Sequence, residues 1–100
     1  MELRDLATFR AVARNLSFTQ AAVELGYVRP ALTAHVKALE TELGVQLFGR
    51  LGRRIVLTAP GERLLGYAEE ILELVGEATT VVAQQCDRPE GPRSPSAPMK

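Results

Sequence analysis

The chain has 100 residues, with 12 Lys and Arg against 12 Asp and Glu, 46% apolar residues and 5% aromatics. A chain of this length builds one small domain, which excludes a two-domain enzyme with an interdomain cleft. No stretch approaches the roughly 18 consecutive apolar residues of a membrane span. The charged start Met1–Asp5 is unlike a signal peptide, so we expect a cytoplasmic chain that does not contact a membrane.

The cysteine and histidine content limits the chemistry further. Cys86 is the single cysteine and His35 the single histidine. An internal disulfide and a Cys/His metal cluster are therefore excluded. Ser17 has no histidine and aspartate arrangement around it in the sequence, so we expect no catalysis. We also expect no cofactor, no metal and no small-molecule ligand for this chain.

The zero net charge is the sum of three unlike segments. Residues 1–63 carry nine Lys and Arg against six Asp and Glu, a net +3, while residues 64–86 carry four Glu and no cation, a net −4. Residues 87–100 have a net charge of +1 and four prolines, with too little apolar surface to offset their ordering entropy. We expect a disordered Pro-rich tail there. The basic first segment keeps nucleic acid as a candidate partner.

Apolar periodicity predicts three short helices before residue 44. The first ends near Asn15. The second begins at Ser17–Gln20, where we expect the Ser17 hydroxyl to cap the helix and Gln20 to reach back, and it ends at Gly26. The third begins near Pro30 and ends at Gly44. The apolar side chains that we expect it to bury are Leu32, Val36, Leu39 and Leu43.

A hairpin and a long helix follow. Two β-favouring runs, 45–48 and 54–57, flank a segment rich in Gly and Arg. Thr58 is then expected to cap a fourth helix that runs to about Gln85. Its apolar residues recur at spacings of four and three, which form a heptad seam: Leu64, Ala68, Ile71, Val75, Ala78 and Val82. A rod of about 40 Å is too long for so small a domain to cover, so we expect the seam to form a homodimer.

The order of these elements predicts a mainly α fold. It is a winged helix-turn-helix of three helices plus a two-stranded β-wing, followed by a long dimerisation linker helix. We expect the DNA-binding domain at residues 1–58, with the helix-turn-helix motif at about 18–37 and the wing at about 46–57. The linker helix is expected at 59–86 and the tail at 87–100.

One face of the third helix suits DNA. Arg29, Thr33 and Lys37 are spaced four residues apart. Arg29 can donate two hydrogen bonds to guanine, and Thr33 offers a hydroxyl and a methyl to base edges, whereas Lys37 suits phosphate. The start of the second helix suits phosphate, and the hairpin arginines suit flanking phosphate or a minor groove. These further candidates are Thr19, Gln20, Arg50, Arg53 and Arg54.

Residues 1–82 resemble the N-terminal part of a LysR-type transcriptional regulator. The matching segments are Leu6–Phe9, Ser17–Ala22, Pro30–Thr33, Leu39–Glu40, Glu42–Phe48 and Leu57–Thr58, with Leu25, Arg50 and Gly61. The resemblance implies that a dimer binds a dyad-symmetric promoter site in double-stranded DNA. It also implies that the turn and third helix read bases, which adds Pro30 and Ala34 to the candidate contacts, while the wing grips the flanks.

Three positions depart from the family pattern. Val28 and Arg29 stand where family members usually have serine and glutamine, and Ala34 stands where arginine is frequent. Val28 cannot cap the third helix. We therefore expect an atypical operator sequence and weaker binding per half-site. The family's sensor domain is absent from these 100 residues, so the chain is either a fragment or a short protein, and a tetramer would require that missing domain.

Two functions stay open at this point. One is a sequence-specific DNA-binding regulator, and the other is a module that pairs through its linker helix with a full-length relative without binding DNA. The basic face of the third helix and the wing arginines favour the first, because a pure interaction module has no need of them. We interpret His35 as a surface residue rather than a DNA contact, and Cys86 as a reduced, idle thiol.

Overall fold

Four helices and one hairpin make up residues 1–86, the part of the chain that this computed structural model describes. The elements are α1 Leu3–Asn15, α2 Phe18–Leu25, α3 Arg29–Leu43, β1 Phe48–Leu51, β2 Arg54–Leu57 and α4 Ala59–Cys86. The mainly helical, winged helix-turn-helix class predicted from the sequence is confirmed. The tail predicted for residues 87–100 lies outside the described residues. Within residues 1–86, no helix combines the length and the apolar character that crossing a bilayer requires.

The core is built around α1, which contacts the other three helices. The first of two apolar clusters joins α1 to α3 and α4, and its buried members are Leu6, Phe9, Leu39, Leu47 and Ala68. The second cluster joins α1 to α2 and α3, and its buried members are Ala11, Val12, Ala21 and Leu32. Phe48 packs against both clusters. Its ring centroid lies 5.4 Å from that of Phe9 and 6.0 Å from that of Phe18. The first residue of the wing therefore fastens the hairpin to the helical core.

Helix α2 begins and ends largely as predicted. The Ser17 Oγ accepts a hydrogen bond from the Gln20 N–H at 3.1 Å, which confirms its capping role. The return bond expected from the Gln20 side chain is not among the hydrogen bonds of residues 1–86. Gly26 ends the helix in the left-handed conformation, at φ +74°. Glycine adopts that conformation without the steric cost of a Cβ.

Helix α3 ends at Gly44 as predicted, but the burial of its last apolar residue differs from the prediction. Leu32, Val36 and Leu39 are buried as expected, but Leu43 is 39% exposed, so its predicted burial was wrong. The chain turns away at Gly44 and returns to place Leu47, which is fully buried, in the same cluster as Leu39. Leu47 therefore fills the end of the core that Leu43 was expected to fill.

The hairpin lies three residues later in the chain than predicted at its first strand. β1 pairs antiparallel with β2 from Phe48 opposite Leu57 to Leu51 opposite Arg54, so the turn is only Gly52 and Arg53. Gly52 has φ +66°, as two-residue hairpin turns require at their first position. Leu47 and Thr58 continue this register, since the Thr58 N–H donates to the Leu47 carbonyl at 3.0 Å. The Leu47 N–H, however, donates to Glu40 Oε2 at 2.9 Å, and the regular strand begins only at Phe48.

Thr58 and Gly61 fix the start of α4. The Thr58 hydroxyl accepts from the Gly61 N–H at 3.1 Å, which confirms the predicted cap, and it donates to the Gln46 carbonyl at 2.5 Å. Gly61 is buried, and a methyl group there would overlap the Leu47 carbonyl and lie 2.9 Å from Leu57 Cδ2. Glycine is therefore what lets α4 approach the Leu47 backbone.

Within the described part of the chain, the first half of α4 alone packs on the other elements. Ala68 is fully buried in the first cluster, with Leu64 and Ile71 packed beside it. The Arg14 guanidinium donates to both oxygens of Glu69, at 2.6 and 3.3 Å, and an Arg10 nitrogen lies 3.7 Å from the same carboxylate. From residue 73 to residue 84 every side chain is exposed.

Gly61→Ala tests the close approach of α4. We expect a loss of about 1–3 kcal/mol in the free energy of unfolding, because the methyl must displace backbone rather than a flexible side chain. Gly66→Ala is the matched control, since nothing lies within 4 Å of its added methyl. Alanine there should raise stability by about 1 kcal/mol through helix propensity. Urea unfolding followed by circular dichroism measures both, and equal effects would contradict the proposed contact.

Val28→Ser tests the missing cap of α3. Val28 occupies the N-cap position with extended backbone, makes no side-chain cap bond and is 71% exposed, so little burial is lost on its replacement. Serine should raise the free energy of unfolding by about 0.5–2 kcal/mol, because its hydroxyl can accept from the Ala31 N–H, which otherwise bonds only to the residue-28 carbonyl at 3.0 Å. Val28→Ala, which removes the same apolar surface without adding a hydroxyl, should show no such gain in the same urea titration.

Candidate nucleic-acid interface

The predicted DNA-reading face of α3 is exposed to solvent. Arg29, Thr33 and Lys37 are all exposed, because Leu32, Val36 and Leu39 turn the opposite side of the helix into the core. The Thr33 hydroxyl lies 3.4 Å from the Arg29 carbonyl, a weak bond that a ligand can replace. Pro30 and Ala34 are exposed beside them, on a surface shared with Thr33 and Lys37.

The tertiary structure joins the start of α2, the start of α3 and the wing around one cleft, which we term the arginine cleft. It is lined by Leu16, Ser17, Phe18, Thr19, Arg29, Arg50, Arg53, Arg54, Ile55 and Val56. Its four arginines come from two separate parts of the sequence. None of them belongs to an ion pair within residues 1–86. Four uncompensated cations in a concave surface concentrate positive potential there, which attracts a polyanion.

The amino end of α2 supplies hydrogen-bond donors to the same cleft. The N–H groups of Gln20 and Ala21 are satisfied by the side chain and the carbonyl of Ser17, each at 3.1 Å. The N–H groups of Phe18 and Thr19 have no acceptor among the described residues. Free amides at a helix start, together with the helix dipole, favour a phosphate. Thr19 is exposed at this point, as predicted for a phosphate contact.

A shallow groove connects the arginine cleft to the α3 face. It is lined by Phe18, Thr33, Val36, Lys37, Glu40, Gln46, Phe48 and Arg50. Lys37 and Arg50, predicted separately from helix and hairpin, therefore border one surface. Gln20 is exposed on α2 but lines neither the cleft nor this groove. The structure thus assembles the predicted residues into one continuous basic surface, with Gln20 at its margin.

His35 has a structural environment that sequence reasoning missed. Its Nδ1 lies 2.8 Å from the hydroxyl of Thr8, which is fully buried, and its ring meets that of Tyr27 edge-on at 5.4 Å. The interpretation as a plain surface residue was therefore wrong, because His35 ties α3 to α1. Thr8 lies 27 residues away in the chain, so no local pattern could indicate this contact.

Leu16 is a second residue that sequence reasoning missed. It ends α1 in the left-handed conformation, at φ +49° and ψ +40°, and lines the arginine cleft. For a residue with a Cβ this conformation costs roughly 1–2 kcal/mol. The signal available in the sequence was a helix that ends immediately before the capping residue Ser17 without a glycine between them.

The predicted dimerisation seam is divided by the structure. Ala68 is fully buried and Leu64 and Ile71 are partly buried against the core of their own chain. This half of the seam differs from expectation because α1 and the Leu47 segment cover it. Val75, Ala78 and Val82 are exposed, as are Leu74 and Val81 beside them. Among the described residues, the second half of α4 is therefore the part of the seam that lacks an apolar partner.

Comparison with known proteins places this architecture in a family. The model of the family described as "Bacterial regulatory helix-turn-helix protein, lysR family" matches residues 3–62. The "Uncharacterized HTH-type transcriptional regulator YusT" of Bacillus subtilis (strain 168) is 44% identical over 92 residues, which are 92% of this chain and 31% of that protein. The chain thus spans about a third of the length of that relative.

Solved structures agree with this match. The BenM DNA-binding domain in its complex with catB site 1 DNA superposes with a TM-score of 0.83 at 34% identity, covering 90% of this chain and all of that one. The CbnR DNA-binding domain in its DNA complex superposes with a TM-score of 0.78 at 40% identity, covering 86% of this chain and 99% of that one. The sequence match, the winged helix-turn-helix and the basic surface lead to one conclusion: the chain belongs to the lysR family of bacterial regulatory helix-turn-helix proteins.

Proposed function

We propose that the chain is the DNA-binding part of a transcriptional regulator and binds a dyad-symmetric promoter site as a dimer. The observation that carries the proposal is the arginine cleft, beside the exposed face of α3. There, four arginines with no ion pair inside residues 1–86 lie next to amides of α2 that have no acceptor in that range. The similar BenM and CbnR domains, whose structures are DNA complexes, support a DNA-binding role.

The proposed division of labour follows from the chemistry of each group. α3 enters the major groove, where Arg29 donates two hydrogen bonds to guanine and Thr33 contacts a neighbouring base edge. Lys37, the α2 amides and Thr19 hold phosphates and thereby fix the register of the helix. Flanking phosphates or a minor groove lie against the wing arginines, Arg50, Arg53 and Arg54. Pro30 and Ala34 approach the bases beside Arg29.

The second half of α4 is proposed as the dimer interface. Its exposed apolar side chains are Leu74, Val75, Ala78, Val81 and Val82. Burial of such a stripe is favourable, because it removes apolar side chains from water. A second copy of the same helix can cover it, since it carries apolar residues at the same heptad spacing. A two-fold axis through the pair presents two α3 helices to half-sites about 34 Å apart. A regulator with this role acts in the cytoplasm, where bacterial DNA lies.

A salt series distinguishes this function from a module that pairs with a relative without binding DNA. Fluorescence anisotropy on duplex DNA should show binding that weakens steeply with salt, with about −0.9 added to the logarithmic slope for each phosphate neutralised. A pure pairing module shows no such binding. Absence of binding at about 50 mM salt, where phosphate contacts are strong, would refute the proposal.

Arg29→Ala and Lys37→Ala should affect DNA recognition differently. Selection from random duplexes first yields the preferred site. Arg29→Ala should then lose about 1–3 kcal/mol of discrimination at one base pair, while Lys37→Ala should weaken all sequences alike and reduce the salt slope by about 1. Arg63→Ala is the control, because Arg63 is exposed on α4 outside the arginine cleft. Unchanged sequence preference in Arg29→Ala would contradict its base-reading role.

The double variant Val75→Glu with Val82→Glu should dissociate the dimer. Burying two carboxylates in the apolar interface between two α4 helices costs much free energy. The fold of the single chain should be unaffected, because neither Val75 nor Val82 belongs to its apolar clusters. Sedimentation equilibrium should therefore give the mass of a monomer. Fluorescence anisotropy should show that this monomer still binds a single half-site. Gln84→Glu adds a charge at an exposed position outside the seam and should leave the mass unchanged. A double variant that stays dimeric would exclude this interface.

A further inference from the structure

Leu16 holds a strained backbone conformation that a glycine would adopt freely. Its φ of +49° and ψ of +40° place it in the left-handed region, and its N–H donates to the Val12 carbonyl at 2.6 Å to close α1. The other residues with positive φ in residues 1–86 are Gly26, Gly44 and Gly52. Leucine is therefore the exception among the residues that terminate or turn the backbone in this conformation.

Burial does not offset this strain. Leu16 is 47% exposed and belongs to neither of the two apolar clusters of the core. A strained residue persists when the surrounding structure or a function requires it, and such residues concentrate at functional sites. The place where the Leu16 side chain lies is therefore informative.

Leu16 lines the arginine cleft together with Ser17, Thr19 and the four arginines. A nucleic-acid backbone alternates anionic phosphates with the apolar C–H faces of deoxyribose. The arginines and the α2 amides match the phosphates, and an apolar side chain between them matches the sugar. We infer that Leu16 is a DNA-backbone contact, whose side chain packs on a deoxyribose between phosphates held in the arginine cleft. The inference rests on the proposed DNA-binding function.

Such a contact has a distinct signature in binding measurements. Leucine carries no charge, so its replacement does not change the number of counterions that DNA releases on binding. The slope of log K against log salt therefore stays unchanged. Deoxyribose is the same in every nucleotide, so the loss is uniform across sequences. Removal of an arginine contact instead reduces the salt slope, and removal of a base contact changes the sequence preference.

The experiment compares Leu16→Gly with Leu16→Ala. Glycine removes the apolar side chain and alanine shortens it to a methyl group. We expect both variants to bind DNA about four- to tenfold more weakly than the parent chain, with unchanged salt slope and site preference. Their stabilities should differ, because only glycine relieves the left-handed strain. The Gly variant should therefore unfold at a Tm a few degrees above that of the Ala variant.

Leu3→Ala is the matched control. Leu3 has the same exposure as Leu16, 47%, and does not line the arginine cleft, so its replacement should leave the affinity unchanged. A Leu16→Gly protein that binds DNA as tightly as the parent overturns the inference, as does a loss equal to that of Leu3→Ala or a changed salt slope. Absence of DNA binding by the parent itself instead refutes the proposed function.

Discussion

The backbone of Leu47 is the point on which the arrangement of the elements depends. Its N–H is held by the Glu40 carboxylate and its carbonyl by the Thr58 N–H, while its side chain is fully buried between α1, α3 and α4. Gly61 passes directly over the same carbonyl. The N–H, the carbonyl and the side chain of Leu47 are thus all held by other segments. These contacts position both the hairpin and the start of α4 relative to the core. An unsatisfied buried N–H at this site would cost roughly 1–3 kcal/mol, so the clamp is also a term in stability.

That clamp determines the geometry of the basic surface. Because the Leu47 N–H bonds to Glu40, β1 begins at Phe48, whose ring contacts those of Phe9 and Phe18. These contacts place the wing arginines beside the start of α2. Arg29 completes the arginine cleft from α3. The cations lie at the start of α3 and along the hairpin, and none of them forms an ion pair within residues 1–86. Preorganised charge of this kind favours a polyanion without a large rearrangement on binding.

The two halves of α4 have different surroundings. Its first half is part of the core through Ala68 and is tied to α1 by the pair of Glu69 with Arg14. Exposed ion pairs contribute little to stability, so the direction in which α4 leaves the core is set mainly by the packing of Ala68, Leu64 and Ile71. The second half presents apolar residues that nothing else in residues 1–86 covers. In the proposed dimer, the direction of α4 then sets the distance between the two α3 helices.

The sequence by itself determined the class of fold, the number of helices and which residues lie on the exposed face of α3. Capping residues, glycine stops and apolar periodicity are local signals, and they suffice for Ser17, Gly26, Thr58 and the buried stripe of α3. Contacts between distant segments carry no such local signal. Only the tertiary structure decided that Leu47 rather than Leu43 closes the core, that His35 bonds to Thr8, and that half of the α4 seam is used internally. The arginine cleft and the strained Leu16 within it are likewise products of packing, because their members are adjacent only after α1, α2 and the wing have folded together.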